Sequence, residues 1–330
     1  MTRYAAYQEK NVLLVGGLGL IGANLAILLV QQGARVTIVD NFLPDHGANL
    51  FNIEPVREQV HFQSADMRDP VAMQAAVQNQ DLVFNIAAQT SHSDSMHNPL
   101  LDLDINCKGN LILLEACRQH NPTARMVFVG TRAFYGTPQT LPVNEQAALQ
   151  PQDIYAVNRL AAEQYHFVYQ RHYGLSVTSL RLGNLFGPRS QMKHPRYNVL
   201  NYFIRMALDD QCIQIYGDGQ QQRDYLFIDD ACHALALAGI VPAAVGQVLN
   251  IASGQSVAFK TLIDTLVQLC GRGRWQHAPW PAQAQAYDVG DFCTDISAAA
   301  RCLDWRPTTS WQDGLAQTVA FYQQHRQHYW

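Results

Sequence analysis

The sequence predicts an α/β protein: a doubly wound parallel sheet with helices on both faces, followed by a smaller, mostly helical C-terminal lobe. Three observations carry this. Short apolar, β-branched runs alternate with helical periods through the first 185 residues. A glycine-rich turn joins the first such run to the first helix. After "RLGNLFGPR" the rhythm changes to isolated helices joined by loops rich in Gly, Pro and Gln. The expected boundaries are 1–185 for the sheet domain and 186–330 for the lobe, with segments near 224–252 returning to the sheet domain.

Taken in order, the strand-like runs are "NVLLV", "RVTIV", "VHFQS", "DLVFNI", "RMVFV" and "SVTSLRL", and each is short, apolar and bounded by turn residues. Between them, helical periods run over 20–32, 70–78, 98–120 and 153–172. "VLLVGGLGLIGANLAILLV" is 19 residues long with only Asn24 strongly polar, a length that suits a membrane span. Glycines interrupt its first half, no basic segment leads into it and "QQGAR" follows, so it reads as a buried strand, a tight loop and a buried helix. The lobe carries helical stretches over 199–210, 256–270 and 314–324, and 277–291 is its least ordered-looking segment.

Length and charge narrow the function. A chain of 330 residues suits one large domain plus a smaller one. A formal charge of -4 with no basic run gives no electrostatic footprint for nucleic acid or an acidic membrane. The seven cysteines are scattered without a C-x-x-C, as expected of reduced thiols in a cytoplasmic protein. The twelve histidines show no ligand spacing, so no metal site is expected.

Gly16, Gly19 and Gly22 recur at three-residue spacing between the first strand and helix. Glycines there let the backbone approach a pyrophosphate and aim a helix N-terminus at it. Asp40 ends the next strand, where a carboxylate accepts from a ribose 2'-OH and repels a 2'-phosphate, which favours NAD over NADP. The alternative is that Asp40 merely starts a turn. Further on, Tyr155 and Arg159 stand one helical turn apart. A neighbouring cation is a common means of lowering a tyrosine pKa from ~10 into a useful range. Most such pairs, however, are only a solvated helix face.

The ordered set Gly16 to Gly22, Asp40, "ADMRD", "NIAAQ", "DIN", "TRAFYG", "YAVNR", "RLGNLFGP" and "IYGDGQQQRDYLFIDD" resembles the extended short-chain dehydrogenase/reductases, in their nucleotide-sugar epimerase/dehydratase branch, over nearly the whole chain. The resemblance implies a Rossmann-type fold that holds NAD with Gly16, Gly19, Leu20, Ile21, Gly22, Asp40, Asn41, Asp66, Met67, Ala87, Ala88, Gln89, Asn106, Tyr155 and Arg159. It implies Thr131, Tyr155 and Arg159 as the catalytic set, and Ser91, Thr131, Asn184, Asn198 and Arg223 around a nucleotide-sugar-like substrate. Each has a structural alternative: Thr131 capping a loop, Asn184 satisfying turn backbone, Arg223 pairing with Asp224 or Asp229.

Where sugar 4,6-dehydratases resemble "TDEVYG", this chain has Arg132 and Ala133, which removes the acid and base needed to expel water. The glutamate usual in UDP-glucuronate decarboxylases is absent as well. Epimerisation through a transient ketone remains, at C4 or, next, at C2. A sugar dehydrogenase or reductase is the alternative. An NAD-binding pseudoenzyme is another, because Arg159 replaces the usual lysine. The loop before "TDIS" also lacks the family's phosphate-gripping arginine. By resemblance a homodimer is expected, through a four-helix bundle of the helices around 99–120 and 153–172, whose outward faces carry Leu111, Leu114, Tyr165 and Tyr169 among others, some of which must face the sheet instead.

Overall fold

The computed structural model describes residues 3–44, 46–281 and 288–330. Its centre is a seven-stranded parallel sheet built from β1 (Asn11–Val15), β2 (Arg35–Asp40), β3 (Val60–Ser64), β4 (Leu82–Asn85), β5 (Arg125–Thr131), β6 (Ser176–Leu182) and, later in the chain, β10 (Val248–Ile251). The spatial order is 3-2-1-4-5-6-10, so the winding reverses between β1 and β4. Open α/β sheets bind ligands at that reversal, outside the carboxyl ends of the strands.

Strand alternation explains why both faces are covered. Val12 and Leu14 of β1 enter one core, while Leu13 and Val15 enter the other. The first face packs α1 (Leu20–Gln31) and α8 (Ile228–Ile240); the second packs α2 (Pro70–Ala76) and α5 (Gly109–His120), with α6 (Ile154–Tyr173) lying against α5. A buried ion pair pins α6 to the sheet. Glu163 accepts from Arg181 Nη2 at 2.6 Å and from Ser179 Oγ at 2.7 Å, both on β6.

The helix expected over 98–120 is interrupted. α3 (His92–His97) and α4 (Pro99–Leu103) are separate short helices, and Asp104–Lys108 forms a π-helical turn before α5. Asn98 ends α3 and its side chain caps α4. Outside the central sheet, β7 (Asn184–Phe186), β9 (Gln222–Phe227) and β11 (Ser256–Ala258) form a small sheet, and β8 (Cys212–Tyr216) pairs with β12 (Arg274–Ala278). The helix expected from 256 therefore begins later, as α9 (Phe259–Cys270), because its first residues pair with β9. α7 (Val199–Leu208), α10 (Ser297–Leu303) and α11 (Trp311–His325) complete the elements. Of the segment 277–291, residues 282–287 lie outside the described residues.

One of the residues expected on an outer helix face turns inward. Leu114 is fully buried toward the sheet, and Tyr169 donates its hydroxyl to Glu115 at 2.6 Å. Leu111 and Tyr165 are partly buried. The exposed large apolar residues on α3, α4 and α6 are instead Met96, Leu100, Leu103, Val157, Val168 and Tyr173. Among the described residues, no helix is long and apolar enough to cross a membrane.

Candidate active site

A cleft of about 490 Å³ opens where the winding reverses. Its floor is the turn after β1. Gly16 adopts φ +86, and a Cβ there would stand 2.6 Å from the Ala87 backbone. A Cβ on Gly22 would meet the Gly16 carbonyl at 2.4 Å, whereas one on Gly19 would meet nothing within 4 Å. Gly22 thus packs helix against turn, Gly16 packs the turn against the loop after β4, and Gly19 leaves backbone open at the N-terminus of α1.

Asp40 lines the same cleft at the end of β2. Its Oδ2 accepts from Leu18 N and its Oδ1 from Phe42 N, each at 3.0 Å. It therefore starts a turn and also clamps the glycine loop, and each oxygen keeps a lone pair for a further donor. Asn41, Asp66 and Met67 continue this wall. Arg68 grips Asp66 with two bonds, which holds that carboxyl down at about 2. Leu20, Ile21, Ala87 and Ala88 complete the lining near the glycines. Together these groups make a cradle that fits a dinucleotide.

At the far end stand Thr131, the last residue of β5, and Tyr155, in the first turn of α6. Burial raises the Tyr155 pKa, while the Arg159 charge and a hydrogen bond with Thr131 pull it down. Burial is the largest of these effects. Arg159 lines the same cleft. It is 1% exposed and lies over the Phe128 ring at 4.4 Å. Its Nη1 donates to Ala87 O at 3.2 Å and its Nη2 to Val129 O, so the guanidinium ties the ends of β4 and β5 together.

Four other expected site residues sit behind the lining. Gln89 is buried and bonded to Ser91 through both amide atoms, because it folds the loop after β4. Ser91 is fully buried and caps α3 by accepting from Asp94 N at 3.0 Å. Asn106, on the π turn, supports the loop from below by donating to Gln89 O at 2.9 Å. Arg223 is turned to the lobe, where it pairs with Asp288 and donates to Gly290 O at 2.5 Å. Neither Asp224 nor Asp229 is its partner. Asn198 lines the cleft, while its side chain caps α7 through Asn201 N and holds Leu185 O.

The structure adds cleft residues that local motifs did not single out. His92 presents its ring edge to Tyr155 with centroids 5.1 Å apart, and its Nδ1 donates to Asp153 Oδ2 at 2.5 Å. Asp153 also caps α6 through Ala156 N. Arg132 donates from Nε to Asn184 Oδ1 at 2.8 Å. Their partners lie 61 and 52 residues away in sequence, beyond any local pattern. Among the described residues there is no group of three or more side chains able to hold a metal ion.

A glycine cradle, a carboxylate closing β2 and a Thr-Tyr pair over one switch-point cleft define a dinucleotide-dependent enzyme class. The chain belongs to the NAD dependent epimerase/dehydratase family, whose model matches residues 12–252. It is 29% identical over 316 residues to the UDP-glucose 4-epimerase of Mycolicibacterium smegmatis, covering 94% of this chain and 98% of that protein. The solved epimerase Mth375 of Methanothermobacter thermautotrophicus superposes with TM-score 0.93 at 27% identity, covering 99% of this chain and 96% of that one. The UDP-glucose 4-epimerase of Thermotoga maritima, solved with UDP-glucose, gives TM-score 0.86 at 28% identity, covering 96% and 99%. NAD is the cofactor of this family, and the cradle fits it.

Proposed function

We propose that the chain is a nucleotide-sugar 4-epimerase acting through a transient keto-sugar. The observation that carries this is the pairing of Thr131 and Tyr155 at the far end of the cradle, with Arg132 and the buried Ala133 following where a dehydratase needs an acid and a base. Bound NAD supplies a reversible hydride acceptor. The residues supply the rest. Tyr155, as the phenolate, accepts the proton of the reacting hydroxyl as that carbon is oxidised and returns it when the ketone is reduced. Thr131 orients the hydroxyl from the end of β5. Arg159 keeps positive charge behind the phenol, and its carbonyl contacts hold the strand ends that shape the cleft. The same roles serve inversion at C2, the next reading.

His92 favours a second reading. Its bond to the buried Asp153 and its contact with Tyr155 put another acid/base group in the cleft. Such a group would allow proton exchange at a carbon beside the ketone. The NAD-loaded protein is offered a panel of nucleotide hexoses, with products read by NMR and absorbance followed at 340 nm. Epimers forming without net absorbance change support the first reading. Net reduction of added NAD would replace it with a sugar dehydrogenase, and no turnover on any member would leave an NAD-binding pseudoenzyme.

We further infer that the protein works as a cytoplasmic homodimer. Leu100 is 74% exposed and Val157 46% exposed, on neighbouring helices α4 and α6. An apolar face of this kind favours a second copy as its cover.

A further inference from the structure

Several arginines line the cleft, and all but one are already engaged. Arg68 is paired with Asp66, Arg196 with Asp94, and Arg159 with two backbone carbonyls. Arg132 differs. Its Nε is held by Asn184, its guanidinium lies 4.8 Å from the centre of the Phe292 ring, and no carboxylate pairs with it among the described residues. Its terminal nitrogens have no protein acceptor there. Burial, and after it the charge of Arg223, pulls its pKa down to about 10. The side chain is thus still cationic near neutrality, and part of its hydration is gone. Arg223 is neutralised by Asp288; among the described residues nothing equivalent serves Arg132.

A partly buried cation with no carboxylate partner is costly, and an anion that enters with the ligand removes that penalty. The fork of a guanidinium suits two oxygens of one phosphate or carboxylate. With Asn184 bonded to Nε, the fork is held by its stem and its two terminal groups are left to serve such a ligand. Thr131 is the adjacent residue, so the fork lies beside the end of the cleft assigned to the sugar.

We propose that Arg132, positioned by Asn184, is an anion-binding subsite for the substrate, taking a pair of phosphate or carboxylate oxygens. This rests on the nucleotide-sugar reading, which offers two sources: the diphosphate, or a carboxylate on the sugar itself. The test is calorimetric titration of NAD-loaded wild type, Arg132→Gln and Arg132→Lys with UDP, UDP-glucose and UDP-glucuronate. Thermal midpoint and NAD content check each variant. The expected result is a loss of at least tenfold in affinity in Arg132→Gln, partly restored in Arg132→Lys. An equal loss for all three ligands assigns the diphosphate, and a loss confined to UDP-glucuronate assigns a sugar carboxylate. Arg132→Gln binding all three within twofold of wild type overturns the subsite. If wild type binds none of them, the UDP form of the nucleotide-sugar reading fails by itself. Inorganic pyrophosphate and free glucuronate then decide the subsite: binding of either that depends on Arg132 keeps it, and binding of neither removes it. Should Arg132→Gln not fold, Arg132→Lys alone decides, through loss of the two-oxygen contact against wild type.

Discussion

His166 sits fully buried beneath Arg159, its ring 4.4 Å from that of Phe128. Its Nδ1 donates to Ala162 O at 2.8 Å and its Nε2 accepts from Asn85 at 3.2 Å, which fixes the neutral tautomer. Burial, opposed by the Ala162 bond and reinforced by Arg159, pulls its pKa from 6.5 down to about 4. Between those values the unfolded chain binds a proton that the fold refuses. Stability from this group is therefore complete above pH ~6.5 and is lost as pH falls toward ~4. At ~1.4 kcal/mol per pKa unit, the loss is about 3 kcal/mol. The assay is urea unfolding of wild type and His166→Gln from pH 7 to 4, holding NAD concentration fixed. Wild type is expected to lose about 3 kcal/mol more than the variant over that range. Parallel curves for the two proteins would refute the reasoning, since all other groups titrate alike in both.

Arg159→Ala leaves two strand-end carbonyls unpartnered, and the expected cost is about 1–3 kcal/mol for each together with near-complete loss of turnover, read by denaturation and product NMR. Arg159→Lys keeps the charge and cannot span both carbonyls, so turnover is retained while stability falls by about 1 kcal/mol. Asp40→Ala should weaken NAD and narrow its preference over NADP, because the carboxylate both clamps Leu18 and repels a 2'-phosphate; fluorescence titration with both cofactors checks this. Light scattering should report a dimer for wild type and a monomer for Leu100→Asp with Val157→Asp.

Where function depends on local backbone, the sequence was readable. The glycine turn, Asp40 at a strand end, Thr131 closing β5 and Tyr155 opening α6 are set by neighbours within a turn or two, and each lines the cleft. What local pattern did not show depends on distant pairing. Arg223 looked like a free substrate ligand until Asp288, 65 residues on, neutralised it. Arg159 looked like a surface or ribose contact, yet the lengths of β4 and β5 bring two carbonyls to it instead. The π turn at Asp104–Lys108 hid inside a helical period, because one extra residue barely disturbs apolar spacing. Ser256–Ala258 carried a helical pattern and became a strand through pairing with β9.

The central claim is that the C–H bond at the inverted carbon is broken and remade within the cleft, with Tyr155 moving only the hydroxyl proton. It is tested most directly with a nucleotide hexose carrying deuterium at C4, incubated with the NAD-loaded protein in ordinary water. Mass spectrometry and NMR of the product epimer should show the deuterium retained at C4, and Tyr155→Phe should bind NAD and form no epimer. An epimer whose C4 deuterium has been replaced by solvent hydrogen would contradict the account, because inversion would then have proceeded by proton abstraction from carbon.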